Sequence, residues 1–474
     1  MALMRHNSTT TFLALALAAA STATAQPESL EGTNARQRVA NFIAEKQEQA
    51  ERYGKKSEAP AMKLVPGFFK AAKATDWGRV TNLFYPIERD HHQSGVDSKR
   101  LPPAVWTAVH ETLGYAEQEL DLKPKYIALF ADDVFHVVPS GAIYFGGTDP
   151  GRFVITAMSE SHNAGKPFFT ITQNALADGS YLDALRTVFG DQITWPSAAD
   201  CQQAFQDYMT DAQSRLKHDT DFPDEPKQVL PGEDVRVINN RVQVSGVLAV
   251  MAINGRLVKE IARQNASRDI YIEESYPIEW MYPMLIPAGP IMKLQHEPKS
   301  GETNQLTETQ IANDRKYWTE LTSKLIGPGI IKETNMEKLC SFVETVHVRR
   351  DKDAFQGDNE FLENAAAQKM FSKLRCAIAG IYFWRATHTT DAASRKQMQA
   401  EAEFAFKQAW ALCPYSPESV FRYSKLLQCE DREKDAIQIV RIARKTDPKN
   451  EEFLTLLNQL LDSKKKKRGT SEAR

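Results

Sequence analysis

Cysteine is scarce in this 474-residue chain, and an excess of either charge is absent. The five cysteines, Cys201, Cys340, Cys376, Cys413 and Cys429, form no CxxC pair and share no metal-like spacing with histidine, which excludes a zinc ribbon or finger. An odd, scattered set leaves two readings, packed free thiols or a single disulfide. With 59 Lys plus Arg against 61 Asp plus Glu, the net charge is −2. No long-range field draws in a polyanion, so nucleic acid is not expected as a partner. Beyond the N-terminus no window approaches about 18 uninterrupted apolar residues, so no membrane span is expected in the exported product. A Walker loop, a GxGxxG fingerprint and a GxSxG elbow are all missing, and no cofactor is implied.

What is present suffices for folding. Hydrophobic residues make up 42% of the chain, with 23 Phe, 14 Tyr and 7 Trp, enough apolar surface for two or three domains. Residues 1–25 have the layout of a secretory signal peptide: Arg5 and His6 in a polar start, the apolar stretch from Phe12 to Ala18, then Ala23-Thr24-Ala25 before Gln26. Cleavage there predicts an extracytoplasmic product, periplasmic in a bacterium.

Composition divides the rest. Residues 26–66 are dense in Glu, Gln, Lys and Arg with sparse apolar Val39, Phe42 and Ile43, and read as a charged helical arm. Residues 67–124 carry Phe68, Phe69, Val80, Phe84, Val105, Val109 and Leu113 at helical spacing, a helical lead-in. Over 125–300 short apolar strands alternate with helices. Strands are expected at 142–147, 167–172, 269–273 and 291–294, and helices at 152–163, 178–189 and 247–264. That alternation predicts an α/β, Rossmann-like domain with an open, mainly parallel sheet and helices on both faces.

Strand signals vanish over 301–462, where an all-α, tetratricopeptide-like region is expected. Ala402 and Ala436, Phe406 and Val440, Ala409 and Ala443, and Pro414 and Pro448 are each 34 positions apart, in the order of a tetratricopeptide second helix. Ala379, Gly380 and Phe383 supply the first helix of one unit, and Val420, Tyr423 and Leu427 that of the next. Residues 463–474, with Lys464 to Arg468 unbroken, read as a basic disordered tail.

The leading candidate site is the loop Gly146-Gly147-Thr148-Asp149-Pro150-Gly151-Arg152, which ends one strand and opens a helix. Asp149 is expected to cap that helix, with Pro150 at its first position. In a parallel sheet Asn174 and Asp178 follow the neighbouring strand, and Glu273 and Glu274 end a third. One crevice would then be lined by Gly147, Thr148, Asp149, Arg152, Asn174, Asp178, Glu273 and Glu274, with Trp280 as an aromatic wall for a sugar ring. The bland alternative makes these acids helix caps and strand ends. No catalytic residue can be named. The run Glu88-Arg89-Asp90-His91-His92 lacks a third ligand at a defined spacing and reads as an exposed turn, so no metal is expected. His162 is placed as a cation at the end of the 152–163 helix.

On the stretches 141–153, 166–179, 273–283 and 371–375, the chain resembles the soluble C-terminal part of bacterial multi-pass membrane proteins related to protein O-mannosyltransferases. The likeness covers most of the chain after Asp76. It implies that lipid-phosphosugar-dependent transfer belongs to a membrane-embedded module, whose acidic catalytic residue has no counterpart among these residues. The function expected is therefore an exported interaction module for a protein or glycan partner, auxiliary to surface glycosylation. The rivals are a carbohydrate-active enzyme using the acids at the sheet edge, and a structural envelope protein.

Overall fold

The computed structural model describes residues 30–93, 100–230, 232–238, 241–273, 279–295 and 305–472. Residues 1–25, where a signal peptide is expected, and Glu274 lie outside the described residues. No helix among the described residues is long and apolar enough to cross a membrane.

Five helices come first: α1 (Leu30–Gly54), α2 (Val65–Lys73), α3 (Trp77–Gln93), α4 (Pro103–Asp121) and α5 (Pro124–Val137). Helix α1 is not a charged arm. It buries Val39, Phe42, Ile43 and Ala50 on one face and packs along α4. Its stripe is sparse because Lys46 and Gln49 on the same face are also buried, each with specific polar partners. The run 88–92 belongs to α3 rather than to a turn, and the His91 ring stacks on Trp106 with centroids 4.3 Å apart.

The sheet has five short strands in the order β2-β1-β5-β7-β6: β1 (Ile143–Gly146), β2 (Phe169–Thr172), β5 (Ile270–Ile272), β6 (Leu285–Ala288) and β7 (Ile291–Leu294). It is mixed. β1 runs parallel to β2 and β5, whereas β7 is antiparallel to both β5 and β6. The antiparallel edge follows from Gly289, whose φ of 58° makes a two-residue turn pairing Ala288 with Ile291. Strands so tightly joined can only be antiparallel, because a parallel pair needs a long crossover. All residues of β1 and β2 are buried, as expected for strands covered on both faces. A separate hairpin, β3 (Asp234–Ile238) with β4 (Arg241–Ser245), packs on a small satellite core.

Four helices accompany the strands: α6 (Ile155–Met158), α7 (Gly179–Phe189), α8 (Ala198–Asp221) and α9 (Val247–Gln264). A π-type turn, Pro150–Val154, leads into α6. The helix expected over 152–163 therefore ends early, at Met158. Beyond it, Ser161 and Lys166 bridge to each other before the cis Lys166-Pro167 bond that precedes β2.

From Glu308 onward the described chain is helical: α10 (Glu308–Ile326), α11 (Met336–Val343), α12 (Asn359–Glu363), α13 (Ala365–His388), α14 (Ala392–Leu412), α15 (Pro417–Cys429), α16 (Glu433–Thr446) and α17 (Glu451–Glu472). Neighbours in sequence pack together, and Ala402, Phe406, Ala409, Ala436, Val440 and Ala443 are fully buried between them. The small residues let α14 and α16 approach their neighbours closely. A buried pair sets the register of the long helices: Arg375 Nη1 lies 3.0 Å from Asp314, while Nε donates to Gln408 at 2.8 Å. The lysine-rich end continues α17 to Glu472 instead of leaving the helix at 463, since Lys and Arg are good helix formers.

These parts are not independently cored. One continuous apolar core runs from Val39 through the sheet to Leu460. Arg385 on α13 binds the sheet edge, donating to Leu285 O at 2.8 Å and Tyr282 O at 3.2 Å. All five cysteines are free, with Cys340, Cys376 and Cys413 buried, so the disulfide reading falls.

Candidate functional site

The strand order reverses at β1, which has β2 on one side and β5 on the other, so the crevice of the sheet lies past the ends of β1 and β5. The chain fills that crevice itself. Glu273, which follows β5 and is 1% exposed, accepts hydrogen bonds from Gly147 N at 2.8 Å, Thr148 N at 2.9 Å and the Thr148 hydroxyl at 2.6 Å. Backbone N–H groups that would hold an external anion thus hold a carboxylate of the protein. Gly151 permits this closure, since a Cβ there would fall 2.2 Å from the Glu273 carboxyl carbon.

Asp149 is not the helix cap. Its backbone is already helical, and Thr148 caps instead, its hydroxyl accepting from Gly151 N at 3.1 Å. The Asp149 side chain is 58% exposed and accepts from Arg152 Nε at 3.1 Å. Asn174 steadies the loop by donating to Gly147 O at 2.7 Å. Asp178 caps α7 by accepting from Ser180 N at 2.9 Å. Trp280 sits apart, half-buried, with Lys259 Nζ 5.5 Å from its ring centre.

Beside the filled crevice lies a pocket of about 100 Å³, between α4, the loop after β1, the end of β2 and the start of α7. Arg152 and Asp178 line it, together with Trp106, Thr107, His110, Glu111, Phe153, Thr172 and Tyr181. Glu111, 5% exposed, forms its floor. Behind Glu111 stands the fully buried Lys46, whose Nζ lies 2.6 Å from Glu111 Oε2, 2.8 Å from His162 Nδ1, 3.1 Å from Asn163 Oδ1 and 3.3 Å from Gln49 Oε1.

Charge states follow from this geometry. Burial by itself would push the Glu111 carboxyl up, but the Lys46 ammonium beside it outweighs this and holds it below the ordinary range. Burial and Lys46 lower His162, against the pull of Glu111 and Glu45. His162 is therefore neutral and buried, not a cation at a helix end. With Nδ1 accepting from Lys46, its proton sits on Nε2, 3.3 Å from Thr170 O.

Two further depressions carry none of the expected site residues. A cleft of about 1190 Å³ lies against α1, α4 and α5, with Trp77, Tyr115 and Tyr126 in its lining. Its cations Arg36, Lys73, Lys125 and Lys324 nearly balance its acids Glu119, Asp132 and Asp358, so it favours neither sign of ligand. A groove of about 430 Å³ runs between α13 and α15, where Tyr282 stacks on Trp384 with centroids 6.0 Å apart and Trp384 on His388 at 4.2 Å.

The structure thus joins Gly147, Thr148, Asn174 and Glu273 in one closed network, and Arg152 and Asp178 in one pocket. Asp149, Asp178 and Glu273 do not share a pocket, since neither Asp149 nor Glu273 lines the one that Asp178 does. Sequence reading missed Lys46 and Glu111. The signal was there, because Lys46 falls on the apolar stripe of Val39, Phe42, Ile43 and Ala50, and Glu111 on that of Ala104, Ala108 and Tyr115. A charge on a buried stripe marks a paired group. No protein-family model, curated protein or solved structure matches the chain.

Proposed function

We propose that this chain is an exported interaction module in which tetratricopeptide-like helical pairs, α13 with α14 and α15 with α16, present a partner-binding groove. The observation that carries this reading is the aromatic groove between α13 and α15. Its lining includes Phe383, Trp384, His388 and Phe421, with Arg422 and Lys425 beside them. The Trp384 ring gives the groove an aromatic wall, and the Lys425 ammonium beside it suits an incoming carboxylate. This chemistry suits an extended segment of a protein partner with an apolar side chain next to an acidic group.

The 34-residue spacing of buried Ala, large apolar and Ala residues supports the tetratricopeptide-like assignment. The layout of residues 1–25 supports export, and the resemblance to proteins related to O-mannosyltransferases supports a role beside surface glycosylation, with a glycan as a further partner. Against the enzyme reading stands the separation of its acids: Glu273 is consumed by the loop, Asp149 by Arg152, and Asp178 caps a helix.

A photo-crosslinking residue at Thr387, on the groove, tests the proposal in the native envelope. A discrete adduct that disappears in Trp384→Ala and persists in Asp178→Asn is expected. An adduct pattern indifferent to Trp384 would overturn the groove, and recovery of the protein from the cytoplasm with residues 1–25 intact would overturn export.

A further inference from the structure

The pocket above Glu111 has a composition that the partner groove does not explain. Its floor is a carboxylate that only accepts hydrogen bonds, with 6% of its side-chain surface left open while Lys46 behind it retains none. Its wall supplies a donor. The Tyr181 hydroxyl accepts from Thr172 N at 2.7 Å and lies against the Thr172 hydroxyl, so either orientation of that pair leaves one O–H to donate. The Thr107 hydroxyl adds a group able to do both, and Trp106 and Phe153 give apolar surface. The buried charge at the pocket has its counter-ion, Glu111 with Lys46, and Arg152 pairs with Asp149, while the exposed Asp178 at the rim accepts from Ser180 N and the Ser180 hydroxyl.

A site that both accepts and donates, flanked by rings and with its buried charge already paired, selects a neutral molecule with adjacent hydroxyls. A charged ligand at the Glu111 floor would disturb the existing pair with Lys46, and a hydrocarbon would leave Glu111 unsolvated. A space of about 100 Å³ holds about four heavy atoms, the two carbons and two oxygens of one diol, judged against the roughly 150 Å³ cavity that accepts the six of benzene. We propose that this pocket binds vicinal hydroxyls, supplied by a short free polyol or by the end of a sugar whose remainder leaves past Arg152 and Asp178. The proposal stands on the pocket alone and is untouched by the fate of the Trp384 groove.

Saturation-transfer NMR on the full chain, with glycerol and methyl α-glucopyranoside as separate probes at millimolar concentration, decides the matter. Transfer to glycerol alone identifies a free polyol as the source, and transfer to the glycoside as well identifies a sugar end. Ala175→Leu, which fills the space without touching the ion pair, is expected to abolish the signal. Tyr181→Phe, which removes one hydroxyl, is expected to weaken binding about fivefold, the factor for one lost hydrogen bond. No transfer to either probe, meaning a pocket that holds only water, overturns the proposal. So does an unchanged signal in whichever of the two variants circular dichroism shows to be folded.

Discussion

Lys46 and Glu111 meet at 2.6 Å with side-chain exposures of 0% and 6%, joining α1 to α4 inside the apolar core. Two charges in such a place are tolerated only as a pair, because each without the other would face the full loss of hydration. His162 and Asn163 bring the segment after α6 to the same ammonium, so one lysine fixes three stretches of chain.

Glu111→Gln should therefore destabilise the protein by about 3–5 kcal/mol, since it strands the Lys46 charge. The double variant Lys46→Met, Glu111→Leu should lose much less. Urea unfolding of the wild type, Lys46→Met, Glu111→Leu and the double variant measures the coupling, and additive losses would show that the pair is not the source.

Acidification acts on three groups in one direction. Glu111 is held below its ordinary 4.5, so its contribution is full above that value and is lost as pH falls through the lower folded value. His162 is lowered by burial and Lys46, and His347 is lowered by burial to about 4 against the opposing Ala411 carbonyl. For both, the unfolded chain takes up protons first, beginning near the ordinary value of 6.5. Stability should hold steady above about pH 6.5 and decline from there toward 4, with a shallower decline in His347→Gln. Urea midpoints across that interval check this, and a midpoint independent of pH would contradict it.

The crevice plugged by Glu273 should become an anion site when the plug is removed. Glu273→Ala leaves the Gly147 and Thr148 amides without their acceptor and should cost about 3 kcal/mol. Phosphate should then raise the melting temperature of the variant while leaving the wild type unmoved. Gly151→Ala should also destabilise, but without rescue by phosphate, because its Cβ and the retained carboxylate still contend for the same space. Calorimetric scans with and without phosphate separate the two.

Gln173 is fully buried, and neither polar atom of its side chain has a partner among the described residues. Gln173→Leu keeps the shape and removes two unmatched groups, so it should stabilise by about 1 kcal/mol. A fall in the urea midpoint would show that the amide is satisfied by buried water.

Much of the local structure is legible in the residues themselves. The helix expected over 247–264 is α9, Val247–Gln264, because its apolar spacing is helical throughout. β1, β2, β5 and β7 fall within their expected stretches, since short apolar runs closed by glycine or polar residues leave few alternatives. β6 went unread because Pro287 demotes a strand, and an edge position tolerates it. The expected mainly parallel sheet is mixed for the same local reason, a turn at Gly289 that reverses the chain and makes two of its four pairings antiparallel.

Candidate-site residues were legible as loop positions but not as partners. The sequence by itself determined the periodicities: which stretches are helix or strand, where the loop before Pro150 and the start at Asp178 break them, and the 34-residue recurrence of small and large apolar positions. Those are properties of near neighbours along the chain. Only the tertiary structure decided that Glu273 closes on Thr148 across 125 positions and Lys46 on His162 across 116. Hydrogen bonds and ion pairs reach only a few ångströms, and which charges come within that reach is fixed by how the helices and strands pack.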